Sequence, residues 1–258
     1  MKRAPRHPSR PLCRLARGAA LALSLLLAAA APVAATPRNI ILEAEYVEPT
    51  TRYAHGVLGD AIEWGALRLK VDFCSGCGAA DIRQMMIRLP QTRVFEDVSP
   101  RLVDLEGDGA FGVMVVESDL NKGARLAIYN ESGLQAATPF IGRAHRWLAP
   151  IGSADLDGDG LIEMAYIDRP HLAKTLRIWR YDNGAFREVA AVKGFTNHQI
   201  GWNYIEGGIR DCGTGPEMIV ADADWTQVVA VRWDMRVKAR ALGPYSSKAM
   251  RDALACAK

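Results

Sequence analysis

The repeat architecture of this chain is recognised from the segment Asp155-Leu156-Asp157-Gly158-Asp159-Gly160-Leu161-Ile162-Glu163. Three carboxylates alternate along it, two glycines allow the backbone to curl, and a fourth carboxylate closes the run. Calcium prefers about six to eight oxygen ligands, and alternate residues of a tight loop can direct several oxygens at one centre. The stretch therefore predicts a loop that binds a hard cation, with calcium as the cofactor.

The loop is not an EF-hand. An EF-hand loop ends on a bidentate glutamate at its twelfth position, whereas the twelfth residue counted from Asp155 is Tyr166. A short apolar run follows Glu163 and ends before Pro170, which is typical of a strand rather than a helix. The loop is thus expected to join two strands. The alternative is a polar turn that binds nothing, since Asp and Gly favour turns in any case.

A decayed copy of the loop lies upstream and reads Asp104-Leu105-Glu106-Gly107-Asp108-Gly109-Ala110-Phe111-Gly112. Gly112 stands where the closing glutamate would be, so Asp104, Glu106 and Asp108 form only a candidate second metal loop. A further unit carries Pro216-Glu217-Met218-Ile219, which parallels Ile162-Glu163-Met164, after a loop that has lost most carboxylates. Units repeating at about 50 residues match the four-stranded blades of a propeller.

The pattern of apolar runs and turns predicts an all-β fold, a small β-propeller of four to five four-stranded blades with a short C-terminal helix. The propeller is expected to span residues 36–245 and the helical tail residues 246–258. The first unit is predicted to begin with a strand at Gly56–Asp60. Ile40–Val47 is predicted to be an extra strand that pairs beside Thr226–Trp233 or Val237–Leu242 and so closes the ring.

At this point the chain resembles the FG-GAP or VCBS repeat family, whose β-propeller repeats also occur in integrin alpha subunits. The likeness is carried by residues 154–163 and, more weakly, by residues 103–109. The resemblance implies a calcium ion in the hairpin between the first two strands of a blade. It implies ligands from the side chains of Asp155, Asp157, Asp159 and Glu163 and from the backbone carbonyl of Leu161. The family has no single activity, because function lies in sites added to the fold.

The N-terminus has the order of a secretory signal peptide. A basic segment without acidic residues precedes an apolar run, and Val33-Ala34-Ala35 supplies the small residues of a cleavage site. Residues 1–35 are therefore predicted to be removed, leaving a secreted or periplasmic protein without a transmembrane segment. The alternative is an uncleaved membrane anchor. The chain has 32 basic and 29 acidic residues, and its excess of basic residues lies in this leader, so nucleic-acid binding is not expected.

Four cysteines remain after the leader, Cys74, Cys77, Cys212 and Cys256. An even number in an exported chain indicates disulfides, but sequence alone leaves the connectivity open. Cys74 and Cys77 also have the C-x-x-C spacing of redox and zinc sites. A redox motif should open a helix, whereas the surrounding residues read as a loop between strands, so structural disulfides are favoured.

Three histidines hold comparable places in the repeats: His55, His145 and His198. Equivalent positions in a propeller lie on one face around the axis, so these side chains form a candidate channel-face site. Convergent imidazoles can bind a transition metal or act as acid and base; the alternative is that each caps a turn. The sequence favours an exported, calcium-stabilised binding or scaffold module for an unknown protein or glycan ligand. The other interpretation is a propeller hydrolase or lyase acting on a glycan or phosphoester.

Overall fold

A computed structural model describes residues 39–77 and 79–257. Over these residues the protein is all-β, with three antiparallel sheets and one short helix. The predicted signal peptide lies outside the described residues. Within the described ranges, no helix combines the length and the hydrophobicity needed to cross a membrane.

The first sheet has eight strands and joins the first two predicted units. Its strands are β1 (Ile40–Thr50), β2 (Glu63–Asp72), β3 (Ile82–Arg88), β4 (Arg93–Phe95), β5 (Arg101–Asp104), β6 (Phe111–Asp119), β7 (Gly123–Asn130) and β8 (Gly133–Ala137). The short strand β4 is the link, because Trp64 of β2 pairs with Phe95 and residues 93–95 pair with β6. The strand predicted at Gly56–Asp60 does not form, and those residues belong to a loop.

The prediction for the N-terminal strand is correct in existence and wrong in partner. β1 pairs antiparallel with β2 along its length, from Ile40 opposite Asp72 to Thr50 opposite Glu63. It does not pair with the last unit. The physical reason is local: the chain turns back after Thr50, and the register buries Ile41 and Tyr46 of β1 in one apolar cluster with Leu67 and Leu69.

The other two sheets contain the third and fourth units. Their strands are β9 (Leu148–Ala154), β10 (Glu163–Asp168), β11 (Thr175–Asp182) and β12 (Ala185–Lys193) in the second sheet, and β13 (Phe195–Thr196), β14 (Gly208–Asp211), β15 (Pro216–Asp222), β16 (Gln227–Trp233) and β17 (Val237–Pro244) in the third. The β11–β12 hairpin turns at Asn183-Gly184, where both residues have positive φ, 49° and 79°. That conformation is the reason why Asn-Gly marks tight hairpins.

Three apolar cores lie between successive units. Residues of β1, β2 and β4 pack against β6 and β7, the opposite face of β6 and β7 packs against β9 and β10, and β10 and β11 pack against β15 and β16. The central strands β6 and β10 are almost wholly buried because they have apolar neighbours on both faces. Stacked sheets of this kind bury apolar side chains between their faces.

The predicted C-terminal helix is present as α1 (Ser247–Leu254). The side chain of Ser246 caps it by accepting the backbone N–H of Ala249 at 3.0 Å. Met250 and Ala253 are buried and pack on Ile219 and Ala221 of β15. The helix therefore covers the outer face of the last sheet.

The β9–β10 pair defines two ends of the third unit. Ala154 pairs with Glu163 at one end and Leu148 pairs with Asp168 at the other. The carboxylate loop joins the strands at the first end. His145 precedes β9 and His171 follows β10, so both lie at the opposite end, which we call the histidine end.

Candidate functional site

Asp155 organises the carboxylate loop through backbone hydrogen bonds. Its Oδ1 accepts the N–H groups of Gly158 at 2.7 Å and Asp159 at 3.1 Å, and its Oδ2 accepts that of Gly160 at 2.9 Å. Gly158 and Gly160 have positive φ, 80° and 90°. Residues other than glycine adopt this backbone conformation only at a cost in free energy. The loop is therefore folded by its first residue before any cation is considered.

A guanidinium lies among the remaining carboxylates. Arg180 of β11 is opposite Glu163 in the sheet. Its nitrogens lie 2.5 Å from an oxygen of Glu163, 2.6 Å from Asp157 and 2.7 Å from Asp159. Glu163 is fully buried and its other oxygen accepts the N–H of Leu156 at 2.9 Å. Arg180 thus neutralises part of the negative charge of the loop.

The loop still fits a divalent cation. Asp155, Asp157 and Asp159 each place an oxygen within 4.8 Å of the others. One oxygen of Asp157, Oδ1, is buried and has no hydrogen-bond partner in the described structure. Burial raises the pKa of Glu163, against the opposing effects of the Leu156 N–H and Arg180. The carboxylates of the loop outnumber the one guanidinium among them, and oxygen atoms of this kind are the ligands that calcium takes.

The two other loops repeat parts of this arrangement. Asp104 accepts the N–H groups of Gly107 and Gly109, and Asp211 in the last unit accepts those of residues 213–215. A Cβ atom on Gly112 would lie 2.8 Å from a methyl group of Ile128, so a closing glutamate at this position would require Ile128 to shift. Glu106 and Asp108 lie in this loop, and the N–H of Ala110 donates to Asp108.

The last unit repeats the glutamate–arginine pair. Arg232 donates to Glu217 at 2.9 Å and also to the carbonyl oxygen of Thr214 in the adjoining loop. Arg210 also contacts Glu217. Burial would raise the pKa of Glu217, but the hydrogen bonds from Arg232 and Arg210 outweigh it and lower that pKa to about 2. In both the third and the fourth unit, an arginine on one strand therefore pairs with the glutamate that begins the neighbouring strand's apolar run.

The four cysteines form two disulfides, Cys74–Cys77 and Cys212–Cys256. The first closes a tight loop between β2 and β3, and the second ties the end of α1 to the loop of the last unit. The structure thus confirms structural disulfides and supplies the connectivity that the sequence left open.

The histidine end brings His55, His145 and His198 to one region together with a fourth histidine, His171. The rings of His55 and His145 stack with centroids 5.3 Å apart. Nε2 of His171 lies 3.0 Å from Nδ1 of His198. His55, His145 and His171 line a pocket of about 270 Å³, and His198 lies fully buried behind His171.

His55 is oriented by a buried carboxylate. Its Nδ1 lies 2.5 Å from Oε1 of Glu96, whose other oxygen accepts the hydroxyl of Ser118. Glu96 is fully buried. Nearby Glu63 is also buried, and burial, with the charge of Glu96, raises its pKa to about 9. Glu63 is therefore neutral at pH 7. The bond from Glu96 to Nδ1 fixes the His55 ring and leaves its Nε2 on the side away from Glu96.

His171 and His198 form a chain with fixed tautomers. Nε2 of His198 lies 2.9 Å from the carbonyl oxygen of Trp202 and must donate a proton to it. Nδ1 of His198 is then an acceptor, and His171 donates to it from Nε2. Burial lowers the pKa of both rings, that of His171 to about 4 with the help of His198, so both are neutral at pH 7.

The segment before β9 is held in a strained conformation beside the pocket. His145 has φ 56°, which is uncommon for a residue other than glycine, and its N–H donates to the hydroxyl of Tyr53 at 3.0 Å. Gly123 of β7 approaches this segment closely: a Cβ atom there would lie 2.2 Å from the carbonyl oxygen of Arg143. Strain that neighbouring contacts maintain is a frequent property of functional sites.

The remaining pocket wall is basic and apolar. Beside the three histidines, the lining consists of Val57, Arg146, Trp147, Arg169, Pro170, Leu172 and Ile200. Among the described residues, this lining includes no carboxylate, hydroxyl or thiol side chain. Leu172 and Ile200 are 64% and 73% exposed, so the pocket has an open apolar rim.

Sequence reasoning missed Arg180, Glu96 and His171. Arg180 could have been found from the repeat, because Glu163 and Arg180 recur as Glu217 and Arg232 on paired strands. His171 lies in the turn after β10, and the pairing of β9 with β10 places that turn at the same end of the unit as His145. Glu96 has no sequence signal, since its role depends on contacts with residues 41 and 22 positions away.

Comparison of the chain with models of known protein families finds no match. A search of curated protein sequences also finds none.

Proposed function

We propose that this protein is an exported, calcium-stabilised binding module without catalytic activity of its own, whose ligand enters the pocket at the histidine end. The observation that carries the proposal is the pocket itself. Residues from the first, third and fourth units meet there, with an open apolar rim and basic walls. Concave, mostly apolar sites with a few converging polar groups are the usual form of small-ligand sites.

The proposed architecture is a small propeller of the FG-GAP or VCBS type. Its support is the succession of four units with apolar cores between neighbours. Loops of the first and last units also approach each other, since the N–H of Gly201 donates to the carbonyl oxygen of Val57. In this architecture α1 closes the outer face of the last unit, which β1 was predicted to complete.

In the proposed module calcium would be held by Asp155, Asp157, Asp159, Glu163 and the carbonyl group of Leu161. Its contribution is two positive charges at a site that Arg180 neutralises only in part. Export is proposed from the order of basic, apolar and small residues at the N-terminus. The two disulfides support an oxidising compartment, where such bonds persist.

The second candidate function is a hydrolase or lyase acting on a glycan or phosphoester. One observation favours it: Glu96 bonds to His55 in the way that a buried carboxylate orients a general base. Such an enzyme needs an acid or a nucleophile beside the base. The described lining offers His145 and His171 for the acid role, and burial keeps His171 neutral. The non-catalytic module is therefore the better supported function.

A substrate panel with a His55→Gln control distinguishes the two. The panel consists of 4-nitrophenyl glycosides, 4-nitrophenyl phosphate, bis(4-nitrophenyl) phosphate and polyuronates, followed by nitrophenol release or by the absorbance of unsaturated uronates. We expect equal background rates for the wild type and the variant. Turnover by the wild type that His55→Gln abolishes would replace the proposed function with the hydrolase or lyase.

A further inference from the structure

We infer that the pocket at the histidine end binds a small organic anion, a carboxylate or phosphate monoester carried on an apolar or planar group. The inference rests on the proposed function and names the class of ligand for the same site. It stands on three features of the pocket: an arginine whose side chain has no partner among the described residues, the absence of acidic groups from the described lining, and the apolar walls.

Arg146 is the residue of the pocket wall whose positive charge would bind an anion. It is half-buried in the pocket wall, and its side chain makes no hydrogen bond or ion pair with any described residue. Arg169, the other arginine of the wall, is already bound to Asp168 at 2.7 and 3.0 Å. A guanidinium without a carboxylate partner, close to low-dielectric walls, attracts anions and can bind carboxylate or phosphate oxygens in pairs.

The acidic groups near the pocket are compensated behind its wall. Glu96 is bonded to both His55 and Ser118, and of these three residues only His55 lines the pocket. Glu63 is neutral at pH 7 because burial and the charge of Glu96 raise its pKa to about 9. Asp97, also buried, is paired with Arg101. No carboxylate of the described residues therefore faces a bound anion across the cavity.

The apolar part of the ligand follows from the other walls. Val57, Trp147, Pro170, Leu172 and Ile200 provide apolar surface, and the parallel rings of His55 and His145 provide a flat one. The exposed fractions of Leu172 and Ile200 mark surface that a ligand would cover. An inorganic anion would leave this apolar surface exposed to water. An organic molecule that carries its anionic group on an apolar moiety therefore fits the pocket better.

A transition metal fits this pocket less well. Within the described residues, the aspartates of the carboxylate loop form the only group of three or more histidine, cysteine or carboxylate ligands whose atoms all lie within 4.8 Å. The three lining histidines do not meet that condition. A metal would need the histidines to move together, whereas an anion needs only Arg146.

Titration of the purified protein with three probes tests the inference, followed by ¹H–¹³C spectra of labelled histidine rings. The probes are benzoate, phenyl phosphate and benzamide, the last being a neutral analogue of benzoate. We expect benzoate, phenyl phosphate or both to shift the signals of His55, His145 and His171 saturably. Benzamide should bind at least tenfold more weakly than the better anion. Which anion binds better identifies the head group as carboxylate or phosphate.

Two variants complete the test. Arg146→Gln should weaken anion binding at least tenfold, while Arg187→Gln, at an exposed arginine on β12, should leave it unchanged. Equal affinity for benzamide and benzoate, or anion binding unaffected by Arg146→Gln, would overturn the anion class but leave the pocket as a binding site. Absence of saturable shifts with both anions would overturn the inference. Turnover dependent on His55 would instead overturn the proposed function, so the two failures are distinct.

Discussion

Replacing Arg180 with glutamine is expected to lower the free energy of unfolding by about 3–5 kcal/mol in calcium-free buffer, the range for breaking a buried ion pair by removing one partner. The Arg180 side chain is only 11% exposed and its partner Glu163 is fully buried. Without the guanidinium, Glu163 and Asp157 would be left as buried carboxylates beside each other. Urea unfolding followed by tryptophan fluorescence measures the change.

Two further variants show whether the effect belongs to the carboxylate site. Arg187→Gln removes an exposed arginine directly opposite Arg180 on the neighbouring strand and should change stability by less than about 0.5 kcal/mol. Arg232→Gln should have a smaller effect than Arg180→Gln, because Arg210 and Arg240 also contact Glu217. A loss below about 1 kcal/mol in Arg180→Gln would show that this guanidinium does not stabilise the loop.

Removing the Cys212–Cys256 disulfide by changing both residues to serine is expected to cost about 4 kcal/mol, from the entropy of closing a loop of this length. The two cysteines are 44 residues apart. Both are exposed, so serine should cost little beyond the lost bond. Detaching the end of α1 would also loosen its packing on Ile219 and Ala221, the outer face of the last sheet. Guanidinium unfolding under non-reducing conditions measures the loss.

The matched control for the disulfide is the double change of Cys74 and Cys77 to serine. That bond joins residues three positions apart, and the loop-closure term is much smaller for a short ring. We expect it to cost less than half as much as the long-range bond. If both double variants lost equal stability, the tether between α1 and the last unit would not be the source of the effect.

The sequence predicted features whose causes are local. The curled carboxylate loop follows from Asp155, which accepts the backbone N–H groups of residues 158–160, and the β11–β12 turn follows from Asn183-Gly184. The helix α1 lies where the sequence predicts it, and Ser246 caps it. The sequence also placed three histidines at equivalent points of the repeat, and the structure groups them with His171 at one end of the units.

What the sequence could not predict depends on contacts between distant residues. The predicted partner of β1 was wrong because an apolar strand at this position can either pair with the last unit or form a hairpin with β2. Packing with Leu67 and Leu69 favours the hairpin. The disulfide connectivity depended on where α1 docks. The role of Glu96 could not be predicted because its partners His55 and Ser118 are distant from it in the sequence.

We propose that the carboxylate loop binds calcium and thereby stabilises the binding module. Thermal unfolding of the wild type and of Asp157→Ala, each in calcium and in chelator, tests it most directly. Binding to the folded state alone stabilises by about 2.7 kcal/mol at a hundredfold excess of ligand over Kd. We expect a higher unfolding temperature of the wild type in calcium than in chelator, and little or no such difference in Asp157→Ala. An unfolding temperature of the wild type that is the same in calcium and in chelator would contradict it.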